Sequence, residues 1–159
     1  MMACSRKDAE QIVDLLLSKD ADVNAKNNNG QTALHFCASK VNLDIARTLL
    51  AQKPPASARI KDKRGQLPLH RAAAVGSVPV MKALLDAKSP LNATDMDGMT
   101  ALHHAMCEGH GDAALLLLTM GAEFDKQDND GHVPLQLVPD AKTRNFILQA
   151  AEREGIDLL

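Results

Sequence analysis

Gly30, Gly65, Gly98 and Gly131 follow one another at intervals of 35, 33 and 33 residues, and each sits in a version of one word: NNNGQTALH, DKRGQLPLH, DMDGMTALH and DNDGHVPLQ. Nineteen and twenty residues after the first three glycines lie Leu49-Leu50, Leu84-Leu85 and Leu117-Leu118, and one period earlier lies Leu16-Leu17. Self-similarity at such a period marks stacked units, each too small to bury its apolar face without a neighbour. One domain over 1–159 is expected, in five units at about 1–26, 27–61, 62–94, 95–127 and 128–159.

Each recurring position has a local physical reason. The glycine supplies positive φ at a turn. Thr32 and Thr100 can cap a helix through their hydroxyls, and Pro68 and Pro134 stand in a first helical turn, where a missing N–H costs little. Cys37, Ala72 and Ala105, seven residues after their glycines, let helices approach closely. The leucine pairs fill the layer between helices, each fully buried side chain contributing roughly 1.5–3 kcal/mol. With three Phe and neither Trp nor Tyr, the core must be aliphatic, which favours helices over sheets.

Three departures carry expectations of their own. Pro54-Pro55 lengthens one interval and ends a second helix there. Val41 stands where Gly76 and Gly109 mark the turn between helices, so that turn is strained or reshaped. Ala150-Ala151 replaces the leucine pair in the last unit, as a unit with one neighbour tolerates. The chain starts inside the first helix of its first unit, which either caps the array or continues repeats lying upstream.

The pattern D-x-x-G-x-T-x-L-H, a short Ala-rich helix, a turn, a Leu-rich helix and a tail such as DADVNA, SPLNAT or GAEFDK resembles the ankyrin repeat. That resemblance implies an all-α solenoid of about five helix-turn-helix repeats with β-turn fingers. It also makes the histidine of each LH word, His35, His70 and His103, a structural group bonded to backbone near the turn.

The stretch DGMTALHHAMCEGHG, residues 97–111, is rich enough in His and Cys to raise a metal or thiol site. Read by repeat position, His103 is the structural histidine, His104 shares its column with Phe36, Arg71 and Leu137 so that no chemistry repeats there, and His110 follows a turn glycine in a different direction. Zinc would need three or four converging ligands, and no second His-Cys pair recurs. An enzyme using His103, Cys107 and His110 is the rival from another class; no catalytic residue, cofactor or metal is expected. Asn92-Ala93-Thr94 matches a glycosylation acceptor, EGHGD lacks the setting of a phosphate loop, and no signal peptide or membrane span is visible. Three scattered cysteines, Cys4, Cys37 and Cys107, read as reduced thiols in a cytoplasmic and nuclear monomer.

The net charge of −2 conceals a gradient. Residues 1–75 hold 12 Lys and Arg against 7 Asp and Glu, while residues 76–159 hold 6 against 13. A nucleic-acid binder would be basic along its whole contact face, so a protein partner bearing both signs is favoured, with neither nucleic acid nor membrane involved. On a solenoid of this kind the outward groups are the finger tips and one face of the first helices. That places Lys40, Lys63, Arg64, Arg71, Met96, Asp97, Met99, Cys107, Glu108 and Asp130 as candidate partner-binding residues, with Met96, Met99 and Cys107 an apolar patch. Asp62, Asp95 and Asp128 are taken as turn supports.

Two longer words, RIKDKRGQLPLHRAAAVGS (59–77) and EGHGDAALLLLTMGAEFDKQDNDG (108–131), are similar to the matching repeats of the gankyrin family, its fungal members in particular. That resemblance implies a non-catalytic chaperone assembling the proteasome regulatory particle by binding the C-terminal domain of a proteasomal AAA ATPase subunit along its concave face. Lys63, Arg64 and Arg71 would then meet acidic groups, and Asp97, Glu108 and Asp130 basic ones. Gankyrin proteins carry seven repeats where about five are present here, and the L-x-C-x-E word of the mammalian protein is absent. A generic ankyrin adaptor and a cyclin-dependent kinase inhibitor remain alternatives.

Overall fold

The computed structural model describes residues 22–159. Cys4, Leu16-Leu17 and most of the unit at 1–26 lie outside the described residues. Among the described residues seven α-helices and one 3-10 turn follow in order: α1 Ala33–Ser39, α2 Leu43–Leu50, α3 Pro68–Val75, α4 Val78–Asp86, α5 Ala101–Cys107, α6 Gly111–Thr119, the 3-10 turn Pro134–Leu137, and α7 Ala141–Arg153. No strand occurs among the described residues. The helices form antiparallel-type pairs stacked in two layers, with α1, α3, α5 and the 3-10 turn in one and α2, α4, α6 and α7 in the other.

The layers close over an aliphatic seam. Leu34, Leu69 and Leu102 from the first layer meet Leu49, Leu84 and Leu117 from the second, all fully buried. Only the first leucine of each pair is fully buried throughout: Leu50 and Leu85 are half-buried, whereas Leu118 is buried. Cys37, Ala72 and Ala105 are buried in the close-approach column. In the last unit Ile147 is fully buried, and Ala150 and Ala151 are buried as well.

Helix α2 stops at Leu50, four residues before Pro54, and the Ala56 N–H returns to the Leu49 carbonyl at 3.0 Å, which restores the register after the insertion. Val41 has φ of 57°, the left-handed region that Gly76 and Gly109 occupy at 75° and 74° in the same column. The expected strain is there: the left-handed backbone costs a residue with a Cβ roughly 1–2 kcal/mol, and Val is β-branched besides. The first helix of the last unit is only a 3-10 turn. Pro139 follows closely, and its ring disfavours helical backbone just before it.

A candidate protein-binding face

Four fingers are built alike. The side-chain oxygen Oδ1 of Asn27, Asp62, Asp95 or Asp128 accepts two backbone N–H bonds across its own turn: from Asn29 and Gln31 at 2.9 and 3.0 Å, from Arg64 and Gln66 at 2.8 and 3.0 Å, from Asp97 and Met99 at 3.0 Å each, and from Asp130 and His132 at 2.9 Å each. Successive fingers are joined by a backbone bond: Lys63 N–H to Asn29 O at 3.0 Å, Met96 N–H to Arg64 O at 3.0 Å, and Asn129 N–H to Asp97 O at 2.9 Å. A Cβ on Gly65, whose φ is 75°, would stand 3.1 Å from the Met96 amide nitrogen. Glycine is thus required there both by the turn and by the next finger.

The LH histidines tie each finger to its helix. The Nδ1 of His35, His70 and His103 accepts the N–H of Thr32, Leu67 and Thr100 at 3.0, 2.9 and 3.1 Å. The opposite Nε2 faces carbonyls: for His35 that of Gln66 in the following unit at 2.8 Å, for His70 those of Ala93 in its own unit at 3.0 Å and Met99 in the following one at 3.2 Å, and for His103 that of His132 in the following unit at 3.0 Å. An N–H on one side and a carbonyl on the other assign the neutral Nε2–H tautomer. Burial pushes all three below the ordinary histidine pKa, with His70 lowered to about 4 by burial and by the nearby His104 ring.

With both ring nitrogens of His103 bonded to backbone, that residue has no lone pair free for zinc. His110 stands at the N-cap position of α6 without a side-chain cap bond and spends its Nε2 on the Ala74 carbonyl at 3.0 Å, with its ring against Gly76. Cys37 is buried and its thiol is pushed up to about 12 by burial, so it offers no thiolate. The described groups that do converge are Asp128, Asp130 and His132, whose ligand atoms lie within 4.8 Å of one another, but they are the last finger's own turn. Asn92 Oδ1 accepts the Glu123 N–H at 2.9 Å, linking two units, as Asn24 Oδ1 links to the Ser57 N–H at 2.7 Å. No described helix is long and apolar enough to cross a membrane.

The reading of the Phe36–Arg71–His104–Leu137 column as chemically silent is corrected. Arg71 Nη2 donates to Asp62 Oδ2 at 3.1 Å, and His104 Nε2 to Asp95 Oδ2 at 2.8 Å, so two successive units use a basic side chain for the same task. Burial alone would raise both carboxyls; the bonds from Gln66 N–H, Arg71 and Arg64 N–H at Asp62, and from His104 and Met99 N–H at Asp95, outweigh it and hold both below the usual range.

Among the sequence-chosen residues, Lys40, Lys63, Arg64, Asp97, Glu108 and Asp130 are exposed, and among the described residues none has an oppositely charged group in ion-pair range. Lys63 with Arg64, Met96 with Asp97, and Asp130 occupy consecutive finger tips, while Lys40 and Cys107-Glu108 close first helices. Met96 is 69% exposed and Cys107 is exposed, but Met99 is half-buried. Arg71 differs from the rest: it is turned inward, bonded to Asp62 and to Ser39 Oγ at 3.3 Å.

Helix pairs stacked in register, with fingers chained along one edge, define a repeat solenoid of the protein-binding class. The chain belongs to the ankyrin-repeat family: residues 54–128 match a family model for ankyrin repeats in three copies, 15–72 one for many copies, and 1–28 one for a single repeat. It is similar to the probable 26S proteasome regulatory subunit p28 of Saccharomyces cerevisiae, 39% identical over 129 residues, which is 80% of this chain and 56% of that protein. An ankyrin repeat-containing protein of Schizosaccharomyces pombe is 37% identical over 147 residues, 92% of this chain and 62% of that protein. The chain thus spans little more than half the length of these two relatives. A rice potassium channel matches at 50% identity but over 46 residues, 29% of this chain and 5% of the channel.

Proposed function

We propose that this ankyrin-repeat binding module is a non-catalytic assembly chaperone of the proteasome regulatory particle, active in cytoplasm and nucleus, whose finger face takes the C-terminal domain of a proteasomal AAA ATPase subunit. Support comes from likeness to the yeast 26S proteasome regulatory subunit over 80% of the chain. The observation that carries the reading is the set of finger-tip charges with no oppositely charged group in ion-pair range among the described residues: cations at Lys63 and Arg64, anions at Asp97 and Asp130. Rim charges of this kind steer encounter and fix register against a complementary surface.

Calorimetric titration of the purified chain with each recombinant proteasomal ATPase C-terminal domain tests this. One domain should bind in a one-to-one complex, and Lys63→Glu with Arg64→Glu should weaken it by about tenfold or more at physiological salt. Absence of binding to every such domain, or an unaltered affinity in the double variant, refutes the assignment.

A further inference from the structure

The four described fingers solve one problem in three ways. Each finger hangs on a side-chain oxygen that takes two turn amides, and where that side chain is the neutral Asn27, the first-helix residue nine positions on is Phe36, with Asn27 Nδ2 satisfied by Gln31 Oε1 at 3.0 Å. Where it is a buried carboxylate, Asp62 or Asp95, the residue nine positions on is basic and bonds the free Oδ2: Arg71 at 3.1 Å and His104 at 2.8 Å. In the last unit Asp128, with a side chain 6% exposed, has Leu137 nine positions on, hence no basic group in that column, and the His132 ring 3.8 Å from its Oδ1 instead. In the two internal fingers a basic side chain in this column accompanies a carboxylate in the turn, and its hydrogen bond helps a carboxylate removed from water to stay ionised and keep gripping two amides.

The amides gripped are not arbitrary. Arg64 and Asp97, two of the exposed tip charges, donate their own N–H groups to Asp62 and Asp95. The polar links also cross between units: Arg71 Nη1 reaches Ser39 Oγ of the preceding unit at 3.3 Å, Gln66 Nε2 approaches Asp95 Oδ2 of the following one at 3.4 Å, and the His104 ring stands edge-on to His70 at 5.6 Å.

We propose that Arg71 and His104 are positioning residues for partner recognition: each holds a turn carboxylate ionised and in place, and that carboxylate sets the direction of the tip residues that meet the partner. The assignment of a partner to this face rests on the proposed function above; the finger lock itself does not. Arg71 therefore matters to binding without touching the partner.

The experiment uses the full chain and three variants: Arg71→Leu, Arg71→Leu with Asp62→Asn, and Arg71→Lys. The double variant reproduces the neutral pairing that Asn27 and Phe36 already show. Amide hydrogen exchange resolved by NMR should show protection at Arg64 and Gln66 falling about tenfold in Arg71→Leu, the scale of one charge-assisted hydrogen bond, and recovering in the double variant. Affinity for the cognate ATPase C-terminal domain should fall and recover in parallel, with Arg71→Lys close to wild type. Unchanged protection in Arg71→Leu overturns the proposal. So does a double variant whose fingers are protected again while binding stays weak, since Arg71 would then contact the partner itself. Should Arg71→Leu fail to fold, the double variant and Arg71→Lys decide the same question by the second criterion. Failure of wild type to bind any ATPase domain removes the proposed function and leaves the exchange result to judge the lock.

Discussion

Acid should loosen this molecule through His70, beginning as pH falls below about 6.5, and a single replacement should remove that share of the sensitivity. His70 is 2% exposed, accepts the Leu67 N–H at Nδ1 at 2.9 Å, and donates from Nε2 toward the Ala93 and Met99 carbonyls. Burial and the neighbouring His104 hold its pKa to about 4 against an ordinary 6.5, and a second proton would have to sit on Nδ1, pointing at the Leu67 N–H. Between those two values the unfolded chain binds the proton and the folded chain does not, so stability rises with pH. The stability is intact above about 6.5, erodes as pH falls, and is fully lost below about 4. At about 1.4 kcal/mol per pKa unit, His70 alone removes roughly 2 kcal/mol between about pH 7.5 and pH 5. His35 and His103 are lowered too and act in the same direction, whereas Asp62 and Asp95, also lowered, lose their contribution only as pH falls below the usual carboxylate range.

The replacement is provided by the chain itself. In the last unit Gln136 occupies the histidine column, and its Oε1 accepts the Val133 N–H at 2.9 Å. His70→Gln should therefore keep the bond to Leu67 and lose the titration. Urea unfolding followed by far-UV circular dichroism, at several pH values across that interval, should show the pH slope of wild type exceeding that of His70→Gln by roughly 2 kcal/mol in total. Parallel slopes for the two proteins would refute the argument, whatever the absolute stabilities.

Val41→Gly should raise the urea midpoint by the equivalent of about 1 kcal/mol, since relief of the left-handed strain exceeds the entropy cost of glycine in the unfolded chain; a lower midpoint would show the turn to be unstrained. Gly65→Ala should destabilise by about 2 kcal/mol, as left-handed backbone and contact with the Met96 amide act together, and denaturant titration reads the loss directly. Brief alkylation of the native protein followed by peptide mapping should label Cys107 well before Cys37, the first being exposed and the second buried with its thiol at about 12. The affinity for the ATPase domain should fall as salt rises, and the Lys63→Glu, Arg64→Glu variant should show a shallower salt dependence than wild type.

Much of the architecture is written in the chain because its determinants are local and repeated. Gly30, Gly65, Gly98 and Gly131 mark fingers, Pro68 and Thr100 open helices, and Leu49, Leu84 and Leu117 fall at one offset from their glycines. Even the awkward turn at Val41 could be foreseen, since the neighbouring units show what the column wants. The role of the LH histidines was implied by the resemblance to the ankyrin repeat, and each of the three rings does bond backbone at its turn.

What the linear chain could not reveal is which polar groups are spent inside the fold. Arg71 looks like Lys63 and Arg64 on paper, a cation near a finger, yet it turns back nine residues to a buried carboxylate while the other two face water. His104 seemed the odd member of a mixed column until the fold placed it where Arg71 stands one unit earlier. Periodicity settles which residues share a stripe of the solenoid, because spacing along a helix is covalent; the pairing of charges depends on how a finger folds over its helix, and only three-dimensional proximity in a water-poor setting decides that.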